Sequence, residues 1–254
     1  MIARTIREAL PDIDLIYAGD TLHVPYGNRS PEAIYTYSKH AMEFLFHQGC
    51  ALIIVACNTA SAGSLRRLQQ EYLPHSTFRD RRILGVVVPT LEAAIEQGCT
   101  RIGLIATNHT VQSNVYAEEL QKINPNIQLA QLSAPLLVPM IENDGLHWIE
   151  PVLRQYLEPL QGVEVLILGC THYSLIKKQI MSILGEEVTI LSQDEIIPHK
   201  VADYLRRHPE IADLMSYNGR TDFIVSAISM SYRKAAREIY GREIDLRKED
   251  FENG

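Results

Sequence analysis

The sequence predicts an α/β fold in which mostly parallel β-sheets are covered on both faces by helices. Apolar runs rich in β-branched residues recur along the chain, and segments with helical patterns lie between them. The runs are nearly continuous in hydrophobicity, which is typical of parallel strands that are buried on both faces. They are LIYAG (15–19), ALIIVA (51–56), ILGVVV (83–88), RIGLIA (101–106), IQLAQL (127–132), VEVLILG (163–169), VTILS (188–192) and DFIVSA (222–227).

Helix start signals support this prediction. The stretch SPEAIYTYSKHAMEFLF opens with Ser30 as the expected N-cap and Pro31 at the first helical position. The chain itself also begins in a predicted helix, because Ile2, Ile6 and Leu10 fall on one helical face. An α/β domain usually opens with a strand. This start therefore indicates either a fold that begins with a helix or an N-terminal segment that is missing.

Two stretches of the chain are similar to each other. In both ALIIVACNTA (51–60) and VEVLILGCTHY (163–173), an apolar strand is followed by a small residue, a cysteine and a threonine. The similarity predicts two pseudo-symmetric α/β lobes. We expect the first lobe to comprise residues 1–84 together with about 210–254, and the second lobe to comprise residues 85–209.

Composition and charge narrow the function classes. The chain has 254 residues, of which 46% are hydrophobic, so it is long enough for one large or two smaller domains. The formal charge of −7 without a long basic run argues against nucleic acid or an anionic membrane surface as the main partner. No stretch approaches the roughly 20 apolar residues that span a bilayer, and the charged N-terminus does not resemble a secretory signal.

The four cysteines form no CxxC pair, so reduced thiols in the cytoplasm are expected. Cys57 and Cys170 are the candidate reactive residues, because each follows a predicted strand at its carboxyl end, where ligands bind in parallel sheets. A helix is predicted to start after each, at about 59–61 and 173–174, and a helix N-terminus favours a thiolate. Cys50 and Cys99 precede strands and are predicted to be buried and unreactive.

His172 lies two residues after Cys170 and allows two interpretations. It is either a base that relays a proton to the thiol or a solvated loop residue. A zinc site is the weaker hypothesis, since Cys57, Cys170 and His172 have no clear fourth ligand. We therefore predict no metal site.

Polar residues that follow predicted strand ends are candidates for substrate binding. Backbone N–H groups and hydroxyls at two helix starts would suit a carboxylate. The alternative interpretation is that these residues are ordinary caps, turn residues and surface residues. The candidates are Asn58, Thr59, Thr107 and Thr171, with Asp20, Pro25, Tyr26 and Gly27 in the turn GDTLHVPYGN (19–28), and Glu142 in PLLVPMIENDG (135–145).

Four sequence blocks that contain these residues resemble, in the same order, motifs of the aspartate/glutamate racemase superfamily. The resemblance is to its glutamate racemases in particular. The blocks are GDTLHVPYGN, VACNTASA, PLLVPMIE and LGCTHY, and the similarity runs from about residue 2 to about residue 240. The PYG block favours glutamate over aspartate. The resemblance implies a site between two lobes, cofactor-independent interconversion of L- and D-glutamate for peptidoglycan, and a cytoplasmic homodimer.

The resemblance also implies roles for the candidate residues. Cys57 and Cys170 would exchange the Cα proton on opposite faces of the substrate, and His172 and Glu142 would assist Cys170. Without pyridoxal phosphate there is no electron sink, so hydrogen bonds and helix dipoles must stabilise the carbanion-like state. Two proton carriers are needed, because a single base would return the proton to the side it left. The remaining implied substrate contacts are Asn58, Thr59, Thr107, Thr171, Pro25, Tyr26 and Gly27, with Asp20 nearby.

The resemblance breaks at the N-terminus, because the family begins with a strand that ends in an Asp-Ser-Gly block. This sequence starts after that block, and we expect a mis-set start or a shortened chain. If these 254 residues were the whole product, Cys57 would lack the assisting Asp that the resemblance implies and the first sheet would lack an interior strand, and we would then expect little activity and poor folding. Two alternatives stay open, namely a racemase or isomerase of another amino acid, and a non-catalytic relative that binds a small molecule. Ser174, where the family usually has Pro, and Ala134, where many members have Cys, are smaller departures.

Overall fold

A computed structural model describes residues 1–252, which form two compact units of mixed helix and strand. The first unit contains Met1–Val55, Ser64–Leu84 and the chain from Pro198 onward. The second unit contains Ala56–Gly63 and Gly85–Ile197. Parallel sheets with helices packed on them confirm the predicted α/β fold class.

The strands follow the predicted apolar runs closely, and a further short strand lies near the carboxyl end of the chain. They are β1 (Leu15–Gly19), β2 (Leu52–Val55), β3 (Arg82–Gly85), β4 (Arg101–Ala106), β5 (Gln128–Ser133), β6 (Val165–Gly169), β7 (Thr189–Leu191), β8 (Thr221–Val225) and β9 (Leu246–Lys248).

The α-helices alternate with these strands. They are α1 (Ile2–Ala9), α2 (Pro31–His47), α3 (Asn58–Ala60), α4 (Val87–Ile95), α5 (Asn108–Gln112), α6 (Val115–Ile123), α7 (Leu137–Glu142), α8 (Ile149–Leu157), α9 (Lys177–Leu184), α10 (Gln193–Arg207), α11 (Pro209–Ala212) and α12 (Met230–Tyr240). Turns of π-helix span Ser61–Leu65 and Leu68–Tyr72, and 3₁₀ turns span Tyr26–Asn28, Leu73–His75, Gly145–Trp148, Glu158–Leu160 and Thr171–Ile176.

The sheet of the second unit has the strand order β5-β4-β6-β7, and all its strands are parallel. Every residue of β6 is buried. Leu166 and Leu168 pack into a core with helices α8 and α9, whereas Val165 and Ile167 pack into a second core with α4 and α6. Because successive side chains of a strand point to opposite faces, a strand covered on both faces must be apolar at every position. This explains the unbroken hydrophobic run in the sequence.

The first unit contains two sheets. Strand β8 pairs in parallel with β1 and β9, and β2 pairs with β3 in a separate two-stranded sheet. Helix α2 covers both, since its Phe44 packs with Ile224 of β8 and its Met42 packs with Ile53 of β2. Residues two apart on this helix therefore pack into two different hydrophobic cores.

The predicted start of α2 is confirmed. The hydroxyl oxygen of Ser30 accepts a hydrogen bond from the backbone N–H of Ala33 at 3.2 Å, and Pro31 is the first helical residue. The predicted N-terminal helix is also confirmed as α1, in which Ile2 and Ile6 are buried. Leu10 lies just beyond α1, where its N–H still donates to the carbonyl of Ile6.

Two local predictions were wrong. The run ILGVVV (83–88) is not a single strand, because β3 ends at Gly85 and α4 begins at Val87. Val87, Leu91 and Ala94 recur at helical spacing and bury one face in the second core, so tertiary packing overrides the β-propensity of consecutive valines. The expected α-helix start at 173–174 is instead a 3₁₀ turn over Thr171–Ile176, and α9 begins only at Lys177.

Within residues 1–252, the helices are all too short or too polar to cross a lipid bilayer.

Candidate active site

Three polar or reactive residues emerge at the carboxyl edge of the second unit's sheet. Thr107 follows β4, Cys170 follows β6, and Gln193 lies two residues beyond the end of β7. Strands β4 and β6 are neighbours in register, with Ala106 opposite Gly169. Thr107 and Cys170 therefore leave the sheet side by side, at the edge where parallel sheets bind ligands.

Cys57 is the N-cap of α3, and its carbonyl oxygen accepts the N–H of Ser61 at 2.8 Å. The side chain is exposed to solvent, yet protein atoms surround it densely enough that desolvation raises the pKa of its thiol. Hydrogen bonds from the backbone of Ala60 and Thr59 lower this pKa, and the charge of Cys170 raises it. The two cysteines are thus close enough to influence each other's ionisation.

Cys170 caps the 3₁₀ turn that follows β6 and is 8% exposed. Its Sγ lies 3.7 Å from Nδ1 of His172, a hydrogen-bonding distance for sulfur. Gly169 is required just before it, because an added Cβ would lie 2.7 Å from Cδ1 of Leu104 and 2.9 Å from Cβ of Ala106. The tight approach of β4 to β6 at this point fixes where the thiol leaves the sheet.

His172 connects Cys170 to Glu142. Its Nε2 lies 2.8 Å from Oε1 of Glu142, at the end of α7. Burial by itself lowers the pKa of His172, but the hydrogen bonds with Cys170 and Glu142 outweigh burial and raise this pKa to about 10. The ring therefore carries a positive charge at neutral pH, next to the Cys170 sulfur.

A triangle of threonine hydroxyls lies beside Cys57. The Oγ1 of Thr59 is 3.0 Å from that of Thr107 and 3.5 Å from that of Thr110, and Thr107 and Thr110 are also 3.0 Å apart. Thr107 caps α5, where it accepts the N–H of Thr110. The structure thus brings together Thr59 and Thr107, which were predicted separately, and adds Thr110.

Asn58 is 2% exposed and contacts two further residues that sequence reasoning missed. The Tyr116 hydroxyl donates to Oδ1 of Asn58 at 2.7 Å, and Nε2 of Gln193 donates to the same oxygen at 3.3 Å. Gln193 offered a positional signal, since it follows a strand end as Thr107 and Cys170 do. Tyr116 lies within a helix and offered none.

The predicted loop residues Asp20, Pro25, Tyr26 and Gly27 lie in the first unit, where Asp20 bonds to Tyr26. The Asp20 carboxylate accepts hydrogen bonds from the Tyr26 hydroxyl at 2.6 Å and from the Ser226 hydroxyl at 2.8 Å, and it lies 2.9 Å from Nδ1 of His23. Tyr26 and Gly27 form part of a 3₁₀ turn, preceded by Pro25 in a cis peptide. Ser226 and His23 were not anticipated, although Ser226 follows β8 directly.

The other cysteines differ from Cys57 and Cys170 in their surroundings. Cys50 is half-buried, and desolvation raises the pKa of its thiol to about 11. The Cys99 thiol lies 3.3 Å from the carbonyl oxygen of Ala94. Both are half-buried rather than buried as predicted, and each precedes a strand, β2 or β4, instead of following one. Among residues 1–252, no three His, Cys, Asp or Glu side chains are grouped so that they could hold a metal ion.

Comparisons with known proteins agree with this architecture. The model of the Asp/Glu/Hydantoin racemase family matches residues 1–192. A glutamate racemase from Geobacter metallireducens is 36% identical over 252 residues, covering 96% of this chain and 89% of that protein. A glutamate racemase from Dinoroseobacter shibae is 33% identical and covers 95% of this chain and 92% of its own length.

Solved structures give the same result. The crystal structure of a glutamate racemase isoform from Bacillus anthracis has a TM-score of 0.89 at 29% identity, covering 99% of this chain and 93% of that one. The structure of a glutamate racemase from Francisella tularensis in complex with D-glutamate has a TM-score of 0.87 at 28% identity, covering 100% and 94% of the two chains. With the family model matching most of its length, this chain belongs to the Asp/Glu/Hydantoin racemase family.

Proposed function

We propose that this protein interconverts L- and D-glutamate by proton transfer at Cα between Cys57 and Cys170. The observation that carries the proposal is the pair of thiols itself: each caps a helical turn in the second unit, and each lies within the other's electrostatic reach. The substrate is inferred from relatives named as glutamate racemases, at 33% and 36% identity.

The reaction requires one thiolate and one thiol. The thiolate takes the Cα proton, which leaves the electron pair on a planar carbanion, and the opposite thiol then delivers its proton to the other face. One C–H bond breaks and one forms, so the two cysteines end with their protonation states exchanged. The same groups run the reverse reaction with the opposite roles, as a near-symmetric equilibrium requires.

His172 makes Cys170 the cysteine that is better prepared to hold negative charge. The positively charged ring lies 3.7 Å from Sγ, and Glu142 stabilises that charge on its far side. Desolvation raises the pKa of Cys57, so Cys57 favours the thiol form at neutral pH. The positively charged ring therefore lies on the Cys170 side of the pair, and the group that favours its neutral thiol form is Cys57.

We propose that no cofactor takes part. The carbanion would be stabilised instead by hydrogen-bond donors placed in advance, and such preorganised donors are usually the largest single contribution to catalysis. Asn58, Thr59, Thr107 and Thr171 supply these donors in the second unit. The assignment of Asp20, Pro25, Tyr26 and Gly27 to substrate binding rests on the resemblance of their loop to that of glutamate racemases.

The biological setting follows from the same resemblance. We propose that the D-glutamate produced enters peptidoglycan and that the enzyme works in the cytoplasm as a homodimer. Sedimentation equilibrium of the purified chain tests the dimer, and a single species at the monomer mass would contradict it.

The activity is tested by incubating the protein with L-glutamate in deuterium oxide. Deuterium at Cα is followed by NMR, and the loss of optical rotation is followed by circular dichroism. We expect Cys57→Ala and Cys170→Ala each to reduce racemisation by roughly a thousandfold or more, because each removes one of the two proton carriers. Cys99→Ala, in the same unit but just before β4 rather than at a strand's carboxyl end, is the matched control and should keep the wild-type rate.

Two results would contradict the proposal. One is a cysteine variant at position 57 or 170 that racemises as fast as the wild type. The other is a wild-type protein that neither exchanges the Cα proton nor changes optical rotation. Added pyridoxal phosphate or a chelator should leave the wild-type rate unchanged.

A further inference from the structure

The Asn58 side chain is buried, and only one of its two polar atoms has a hydrogen-bond partner. Its Oδ1 receives hydrogen bonds from Tyr116 and Gln193, whereas its Nδ2 is buried without any hydrogen-bond partner. Buried polar atoms are rarely left unsatisfied, and an exception calls for an explanation. Asn58 directly follows Cys57 at the start of α3, so this free donor belongs to the same helix start as the proposed acid.

Tyr116 fixes which atom of the amide is the oxygen. The tyrosine is fully buried, and desolvation raises the pKa of its hydroxyl, so it stays protonated. Nε2 of Gln193 lies 3.4 Å from this hydroxyl and donates to it, which leaves the hydroxyl hydrogen for Oδ1 of Asn58. If the amide turned over, its NH₂ group would face the NH₂ group of Gln193 and lose that bond, and the hydroxyl hydrogen of Tyr116 would lose its acceptor.

We infer that Tyr116 and Gln193 are positioning residues that lock the Asn58 amide so that its Nδ2 presents only N–H donors to the substrate. This inference rests on the proposed function. A fixed N–H group can donate to a carboxylate oxygen but cannot bond to an ammonium group, so the lock assigns Asn58 to a carboxylate of the amino acid. Because the orientation is set before the substrate binds, no reorientation is needed on binding.

Tyr116→Phe tests the lock, since it keeps the ring and removes only the hydroxyl. We expect KM for glutamate to rise about tenfold, as for a lost hydrogen bond together with a misoriented amide, while kcat changes less than about threefold. Gln193→Met should raise KM by a smaller factor, because its bond to Oδ1 is the longer of the two. Tyr232→Phe, which removes a half-buried hydroxyl bound to Tyr17 in the first unit, is the matched control and should leave both constants unchanged.

A second readout does not depend on turnover. The side-chain amide signals of Asn58 in a ¹⁵N-labelled protein should move in Tyr116→Phe and stay in place in Tyr232→Phe. Thermal melting of each variant separates a loss of folding from a loss of binding.

The possible outcomes test separately whether Tyr116 and Gln193 orient Asn58 and whether the protein racemises glutamate. A Tyr116→Phe variant with wild-type KM and unshifted Asn58 amide signals overturns the inference while glutamate racemisation by the wild type still stands. A wild-type protein without racemisation overturns the proposed function, and the amide signals then still decide whether Tyr116 orients Asn58.

Discussion

Nε2 of His172 lies 2.8 Å from Oε1 of Glu142, and the opposite ring nitrogen faces the Cys170 sulfur at 3.7 Å. The two contacts together keep the ring protonated well above its ordinary range, with a pKa of about 10. The positive charge of His172, which polarises Cys170, is therefore stabilised by the carboxylate of Glu142 on helix α7.

Removing the Glu142 carboxylate should lower the pKa of His172. In Glu142→Gln the neutral amide no longer stabilises the positive ring, so we expect the pKa of His172 to fall by roughly one pH unit or more. The midpoint is read from the ring proton shifts in an NMR titration. Glu150→Gln removes a carboxylate that pairs with Arg154 on α8 and should leave the midpoint unchanged. An unchanged midpoint in Glu142→Gln would show that Cys170 alone holds the charge on the ring.

The same histidine should make stability depend on pH in a defined direction. The pKa of His172 is about 10 in the folded protein, above the ordinary value of 6.5 that applies after unfolding. The folded state therefore binds the proton more tightly. Its stabilising contribution is fully present below about pH 6.5 and is lost as the pH rises toward 10.

We expect the wild type to lose stability relative to His172→Gln between these two pH values. Guanidinium unfolding of both proteins at pH 6, 8 and 10 measures the difference in free energy of unfolding. A difference that stays constant or grows with pH would contradict the assigned direction.

The hydroxyl triangle should contribute to both stability and substrate binding. Thr59→Val keeps the shape of the side chain and removes one hydroxyl from Thr107 and Thr110. We expect the free energy of unfolding to fall by about 1 kcal/mol and kcat/KM for glutamate to fall by about tenfold. Thr90→Val removes an equally buried hydroxyl, which donates to the carbonyl of Val86. It should cost similar stability without changing kcat/KM, and equal kinetic losses in both variants would argue against a role for the triangle in binding.

Gly169 should tolerate no side chain. In Gly169→Ala the new Cβ would lie 2.7 Å from Leu104 and 2.9 Å from Ala106, so strands β4 and β6 must separate. We expect the free energy of unfolding to fall by about 1–3 kcal/mol, together with a loss of racemisation as Cys170 is displaced. Gly103→Ala is the matched control, because its Cβ would meet only side-chain ends, at 3.1 Å or more. Urea unfolding compares the two, and an equal or greater loss in Gly103→Ala would contradict the prediction.

Much of the fold and part of the site could be predicted from the sequence, because their signals are local. Strands β4 and β6 were recognisable from their unbroken apolar runs, and α2 from Ser30 and Pro31 at its start. Cys57 and Cys170 were recognisable as candidates because each directly follows a predicted strand. The run at 83–88 was misread, since consecutive valines suit a strand or a buried helix, and only packing decides between them.

The sequence by itself determined that two cysteines follow strands and that polar residues follow them, because strand ends and helix caps are encoded within a few neighbouring residues. Only the tertiary structure decided which side chains meet. Thr59 contacts Thr107 across 48 residues of chain, and Asn58 contacts Gln193 across 135. Such pairs have no local pattern, because their partners are chosen when strands and helices pack and bring distant segments to the same edge of a sheet.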